Sequence, residues 1–520
     1  MRSSTRYLSA LVVLALGLLP LAPPATAQPN VPLHSAARVD HGDAGKRATS
    51  FELFGRRPAD KGTVLRRGSA DAPLAPQATS GFDGLADPFS VPSDTTGARG
   101  DTYIVAAVNT QVAVYDLNGT QVLAPIQLDA LHPASSGRFA FDPKVVYDQY
   151  DDTFVLVYLI QQNRPRLSRI FSVAIPNATA NVRSTWCARS FPGDGLPGGA
   201  QTWADYPGLG YTDTRVTITT NEFTFPSGTG RFSSSQVMTI DKTGLYDCGQ
   251  PSPARKVFAG SATRDDRGNR AFTLRPAETV GASPGPQLLV SLGAVQGKGD
   301  YMTLWRIAPT ASGFALKRAS APVGKVSLPP FGTQGGGGIN TPNTWWDPGD
   351  TRLINAFYDA DRNQLFTAHA MLKNLQPDTL TTGYPESVIR WYEIDPAGKL
   401  KNSVIARKGI VGEPEVDVGW PSVASDGDGV LFVTYNRASA PRDEFLSAWV
   451  STIEPGSTDD TELLLHAGAA TYDTGPGVER WGDFTAINRD PTSPQDVATF
   501  NQYAQSKMQW QQFISLVSDT

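Results

Sequence analysis

Apolar and polar positions alternate along this chain in short runs, each closed by turn residues. The stretch from Phe141 to Ile160 (FDPKVVYDQYDDTFVLVYLI) shows the unit most clearly. An Asp-Pro turn opens it, Lys144 to Tyr147 form a short inner strand, an Asp-rich hairpin follows, and Phe154 to Ile160 make a longer apolar strand. Period-two alternation bounded by Asp, Gly and Pro predicts strands and tight hairpins.

The same grammar recurs. Segment heads fall near residues 92, 143, 207, 276, 342, 421 and 484, 51 to 79 residues apart, with Pro at every head except the last, where Phe484 takes its place. After the heads come β-branched and aromatic runs: Tyr103 to Val108, Phe154 to Ile160, Val216 to Thr220, Leu288 to Leu292, Leu353 to Phe357, Leu431 to Tyr435 and Val497 to Phe500. A further strand follows most of them, as at Val112 to Leu117 and Ile389 to Ile394. Repeats of this size with three or four strands each are propeller blades, because one small twisted sheet cannot bury both faces while radial stacking buries them against neighbours. The pattern predicts an all-β, seven-bladed β-propeller over residues 82–520. A string of separate β-sandwiches would need polar linkers, and none occurs after residue 90.

Composition agrees: 49 Gly and 40 Pro among 520 residues suit many strands joined by turns. Residues 1–27 read as a secretory signal peptide, with Arg2 and Arg6 before the apolar run Leu8 to Leu21 and cleavage predicted after Ala27. The run is short for a membrane span. Residues 28–81 read as a disordered, low-complexity N-terminal arm with basic pairs. The expected location is therefore secreted or periplasmic. Cleavage moves the net charge from −5 to −7, which argues against a nucleic-acid partner. Cys187 and Cys248 are the only cysteines, and in an oxidising compartment the pair predicts a disulfide; two separate buried thiols are the alternative.

Several local stretches, Pro92 to Ala98, Val112 to Asp116, Asp205 to Gly210, Arg390 to Glu393 and Arg480 to Phe484, resemble a group of secreted bacterial proteins with sialidase-like propellers. The similarity spans most of residues 82 to 518. That family is largely uncharacterised, so the resemblance implies a fold and export, with no reaction attached.

Propeller geometry says where chemistry would sit. Repeat heads and second-strand ends meet at one mouth of the central channel, because the hairpin between them is antiparallel. Candidate acids there are Asp142, Asp205, Glu222 and Asp483, and candidate ligand-binding residues are Asn221, Arg275, Trp420, Asn436, Arg480 and Trp481. Paired acids can perform general acid and base work, and an indole can stack on a sugar face. The competing reading is that Asp and Asn before a strand fix the turn by bonding nearby backbone N–H groups.

Known catalytic sets do not fit. Ser425 to Phe432 has the wrong Asp–Gly spacing for a sialidase Asp box, and Arg169-Ile170-Phe171 lacks the Pro of that family's motif. Gly281-Ala282-Ser283-Pro284-Gly285 is spelled like a nucleophile elbow, but Pro284 removes the N–H an oxyanion hole needs. Asp359 to Asn363 and Asp426 to Gly429 resemble fragments of calcium loops, yet turn chemistry suits both better; no cofactor is expected, with structural calcium as the lesser alternative.

The sequence thus predicts an exported, monomeric, non-catalytic propeller binding a glycan or protein ligand at the channel mouth. The alternatives are a glycan-active hydrolase or lyase using rim carboxylates, and a structural component of an envelope assembly.

Overall fold

The computed structural model describes residues 76–519, apart from 89, 196–201, 228–229, 294–299, 337–344, 376–384 and 476. The expected signal peptide, most of the arm and the head at Pro342 lie outside the described residues.

The fold is all-β. Four-stranded antiparallel units occupy residues 96–127, 140–192, 202–258, 275–322, 356–411 and 417–466. A last unit takes three strands from 486–518 and its fourth from the strand Gln77–Asp83, which pairs antiparallel with Gln509–Ser518. The 202–258, 275–322 and 356–411 units join into one twelve-stranded sheet through parallel pairing of their first strands, and the other four are separate sheets.

Each unit's first strand packs against the first strand of the next, and Ala486–Arg489 of the last unit returns to Thr96–Arg99. A cavity of about 20 Å³ is lined from every unit at or beside the first strand, by Thr96, Lys144, Gly208, Arg275, Asn355, Ser422 and Thr485. This is propeller geometry: sheets arranged radially about a common axis. Close approach at the axis explains Gly210, where a Cβ would meet the Ala277 carbonyl oxygen at 2.4 Å. Between units the second and third strands are buried on both faces, as at Phe154 to Leu159 and Leu431 to Tyr435, forming the apolar layers that hold neighbours together.

Cys187 and Cys248 form a disulfide that ties the fourth strand of the 140–192 unit to the segment after the short helix Lys242–Tyr246 in the next unit. No helix among the described residues is long and apolar enough to cross a membrane.

Two sequence expectations are corrected. A strand runs over Gln77–Asp83, starting inside the stretch read as an arm; it left no sequence signal because it is an edge strand exposed along nearly its whole length, with no apolar alternation. Leu353 to Phe357, expected as a second strand, instead leads into the first strand Ala356–Asp359; the second is Gln364–Lys373. The Asp-rich hairpin of residues 359–363 follows the first strand here, as residues 148–152 do in the 140–192 unit.

Candidate axial site

Three of the first strands carry a bulge near their start. Strand pairing shifts register between Phe141 and Lys144, between Asp205 and Gly208, and between Gly419 and Ser422. At each shift the residue before Pro takes a positive φ: 52° at Asp142, 55° at Tyr206 and 53° at Trp420. Asp94, with φ 50°, does the same ahead of Thr95. Such a conformation is strained for a residue with a Cβ and persists only where surroundings fix it. Here it aims successive side chains at the axis.

Three of those side chains are acids. Carboxylate oxygens of Asp94, Asp142 and Asp483 lie within 4.8 Å of one another, and all three residues are buried. Asp94 Oδ1 accepts the backbone N–H of Asp483 at 3.0 Å, and Asp142 Oδ2 accepts that of Tyr206 at 3.0 Å. Each bond crosses from one unit to another. Arg480 grips Asp483 with both terminal nitrogens. Burial and then the charge of Asp483 push the Asp142 carboxyl up to about 6; the same causes, with Asp142 added, raise Asp94 well above the carboxylate range.

The opposite side of the axis is cationic. The Tyr206 ring has the Arg275 guanidinium 4.4 Å and the Arg352 guanidinium 4.2 Å from its centroid, and its hydroxyl donates to the Asp483 carbonyl at 3.0 Å. Arg275 also donates to the carbonyls of Pro207 and Leu353 at 2.6 and 3.0 Å, while Arg352 makes a bidentate pair with Asp350. Lys144 sits 3.6 Å from the centroid of Phe484; burial, then Arg275, holds its pKa well below the usual lysine value.

The structure brings Asp142, Asp483, Arg480 and Arg275 together and adds Asp94, Tyr206 and Arg352, which the sequence reading left out. Asp94 precedes Thr95 where Asp142, Tyr206 and Trp420 precede Pro, and the 202–258 unit places Tyr206 rather than Asp205 in the position that Asp142 holds. The signal available was the residue directly before Pro207, one position on from Asp205.

The remaining candidates are positioned by other work. Asn221 accepts the Thr273 N–H and donates to its hydroxyl, both at 2.8 Å. Asn436 donates to Asn501 Oδ1 and the Gln502 carbonyl, at 2.8 and 2.7 Å. Asn109 accepts the Asp142 N–H at 2.8 Å. These second-strand ends are latches to the following unit. Trp420 is buried, with its indole N–H on the Asp347 carbonyl at 2.8 Å, and Trp481 is fully buried edge-on to Tyr472, so neither presents a stacking face to solvent. Asp205 is buried on a first strand opposite Asn221. Glu222 is buried apart from the acid trio, hydrogen-bonded by Thr220 and Thr202 at 2.8 and 3.0 Å, and burial pushes its carboxyl up to about 8.

The calcium-like stretches are turns. Asp359 Oδ1 accepts the N–H groups of Asp361 and Arg362, and Asp426 Oδ1 those of Asp428 and Val430. Among the described residues, Asp94, Asp142 and Asp483 have the spacing that could hold an ion, but Arg480 already covers both oxygens of Asp483.

Fold and site together define an all-β protein of propeller type whose axis end is filled by compensating charges. Among solved structures it is similar to a protein of unknown function from Dyadobacter fermentans, at 9% identity over 85% of this chain and 99% of that one, TM-score 0.42. It is also similar to the GH93 alpha-L-arabinofuranosidase of Fusarium graminearum, at 8% over 85% and 98%, TM-score 0.39. A third is Trypanosoma rangeli sialidase, at 8% over 84% and 60%, TM-score 0.38. At these values the likenesses transfer no residue of a site. No family model matches the chain, and no curated protein does.

Proposed function

We propose that this chain is an exported, seven-bladed propeller that binds an extracellular glycan without transforming it, each four-stranded unit counting as one blade. The observation that carries the reading is the state of the axial acids. Asp94, Asp142 and Asp483 are at most 4% exposed; Asp94 and Asp142 each accept a backbone N–H from another unit, and Asp483 is clamped by Arg480 of its own segment. A glycosidase pair must reach the substrate's glycosidic bond with both carboxyls; here all three carboxyls are buried and already hydrogen-bonded within the protein. The disulfide suits an oxidising compartment.

A second reading, glycan hydrolysis or elimination, is favoured by the same cluster's spacing, because one acid is pushed to about 6 beside another clamped by Arg. The envelope-assembly reading predicted one large apolar face. Among the described residues, the exposed large apolar side chains, Val122, Phe139, Val182, Val257, Val404, Leu464 and Met508, are instead scattered over several units.

A polysaccharide panel scored for both binding and new reducing ends or unsaturated products decides between the two. Binding with no product on any substrate supports the proposal. Product release abolished in Asp142→Asn and Asp483→Asn establishes the hydrolytic or eliminative reading in its place.

A further inference from the structure

A cleft of about 250 Å³ lies on the outer side of the ring, where the fourth strand Cys187–Pro192 of one unit faces Ser252 to Arg255 of the next. It is lined by His132, Arg189, Ser190, Phe191, Ser252 and Arg255, with two small neighbours and no carboxylate. The volume falls just under the ~300–1,000 Å³ typical of drug-sized ligands, so it suits one sugar unit or one charged group.

Its charge is uncompensated. Arg189 donates to three backbone carbonyls, of Gly244, Asp247 and Gln250, at 3.0, 2.9 and 2.8 Å. Those acceptors fix the side chain but leave its positive charge standing. Arg169, behind the wall, donates to Ser190 Oγ at 2.6 Å. Arg255 is exposed, with its guanidinium 5.5 Å from the Phe191 centroid. Among the described residues none of these three arginines has an ion-pair partner. Asp247, eight residues before Arg255, turns its carboxylate to the Gly249 N–H at 2.7 Å. His132 Nδ1 accepts the Ala134 N–H at 2.9 Å, which leaves the proton of the neutral ring on Nε2 as a further donor.

The walls are also fixed in advance. Cys187 borders the strand that carries Arg189, and its disulfide to Cys248 joins the two units that make the cleft. A site held in its binding conformation loses less freedom when it is filled. The chain carries a net charge of −5, so a basic cleft without counter-ions stands against the general field of the molecule.

We propose that this cleft binds the anionic group of an acidic polysaccharide, a carboxylate or sulfate ester received by the Arg255 fork, the Arg189 charge and the Ser190 and Ser252 hydroxyls. The guanidinium fork matches both oxyanions bidentately. This rests on the glycan-binding reading and names the class of glycan.

The test uses the mature chain, titrated with polygalacturonate, dextran sulfate and neutral dextran. Polygalacturonate and dextran sulfate tell a carboxylate ligand from a sulfate one. The expected result is binding of at least one polyanion, weakened about tenfold or more in Arg255→Glu, a loss on the scale of one charge-assisted hydrogen bond. Ser252→Trp, which fills the cleft without removing charge, should weaken it similarly, with circular dichroism matching the parent in both variants. Polyanion binding unchanged in both variants, or neutral dextran bound as tightly, overturns the inference and leaves glycan binding standing. Failure to bind any polysaccharide of a wider panel overturns the parent reading as well.

Discussion

Replacing Asp142 by Asn should stabilise the protein at neutral pH. The residue is 4% exposed, and burial followed by the Asp483 charge pushes its carboxyl up to about 6. An unfolded Asp titrates near ~3.9, so between roughly pH 4 and 6 the folded state holds more protons than the unfolded one, and stability falls as pH rises through that window. The two-unit difference corresponds to about 3 kcal/mol, present in full above pH ~6. Asn keeps the oxygen that accepts the Tyr206 N–H and sets an amide NH2 beside the other two acids. The variant should therefore gain about 1–3 kcal/mol at pH 7 and nothing near pH 4, after allowance for imperfect fit of the new amide. Urea unfolding followed by tryptophan fluorescence at both pH values reads this as a midpoint shift at constant m. A variant less stable than the parent by more than about 1 kcal/mol at pH 7 would mean that attraction to Arg480 and Lys144 outweighs the burial of the charge, and the reasoning would be wrong.

Three further outcomes follow from the same geometry. Asn221→Ala strands the buried Thr273 N–H and hydroxyl and should lower stability by about 2–3 kcal/mol in the same urea assay. Cys187→Ser opens a disulfide with a sequence separation of 61, for which the chain-entropy model gives a loss of about 4 kcal/mol, visible as a lower melting temperature that reductant does not lower further. Glu222→Gln should be near neutral below pH ~4 and stabilising at pH 9, because burial lifts the folded carboxyl to about 8 and the parent loses stability as pH rises from the unfolded value of ~4.3 toward that value.

The second strands were legible because they are buried on both faces and so read as unbroken β-branched and aromatic runs; Tyr103–Val108 and Leu288–Leu292 fall where the sequence places them. Short first strands were harder. Thr96–Arg99 (TGAR) and Ala486–Arg489 (AINR) have four residues each and owe their burial to neighbouring units rather than to their own composition. Outer strands such as Val404–Val411 and Gln77–Asp83 are half exposed or more, which removes the apolar signal altogether. At the axis, four of the ten candidate residues do meet, but the convergence depends on the bulge that turns Tyr206 rather than Asp205 inward. Counting from Pro207 could have revealed it; scanning for acids could not. Arg352 and Asp350 carried no motif, and only the fold brings that pair to Tyr206.

The residues gathered at the axis, of which Asp94, Asp142 and Tyr206 hold the positive-φ position, also bear on the proposed reading. Asp483, Asp94 and Asp142 belong to consecutive units across the chain closure, Tyr206 comes next, and Arg275 and Arg352 follow from the two units after it. Acids therefore fill one side of the axis and guanidiniums the other, with the Tyr206 ring between them and its hydroxyl bridging to Asp483. Buried charges are tolerated only when paired and hydrogen-bonded, and removing one partner leaves the other exposed to the full desolvation penalty. A substrate entering this cluster would have to break pairs that also latch one unit to the next. In the cleft between outer strands Arg189 is tied to the next unit through three backbone carbonyls, but Arg255 is exposed and forms no ion pair among the described residues, so it can meet an anion without breaking a buried pair. On the glycan-binding proposal, the perimeter, rather than the axis, is therefore the better place to seek a ligand.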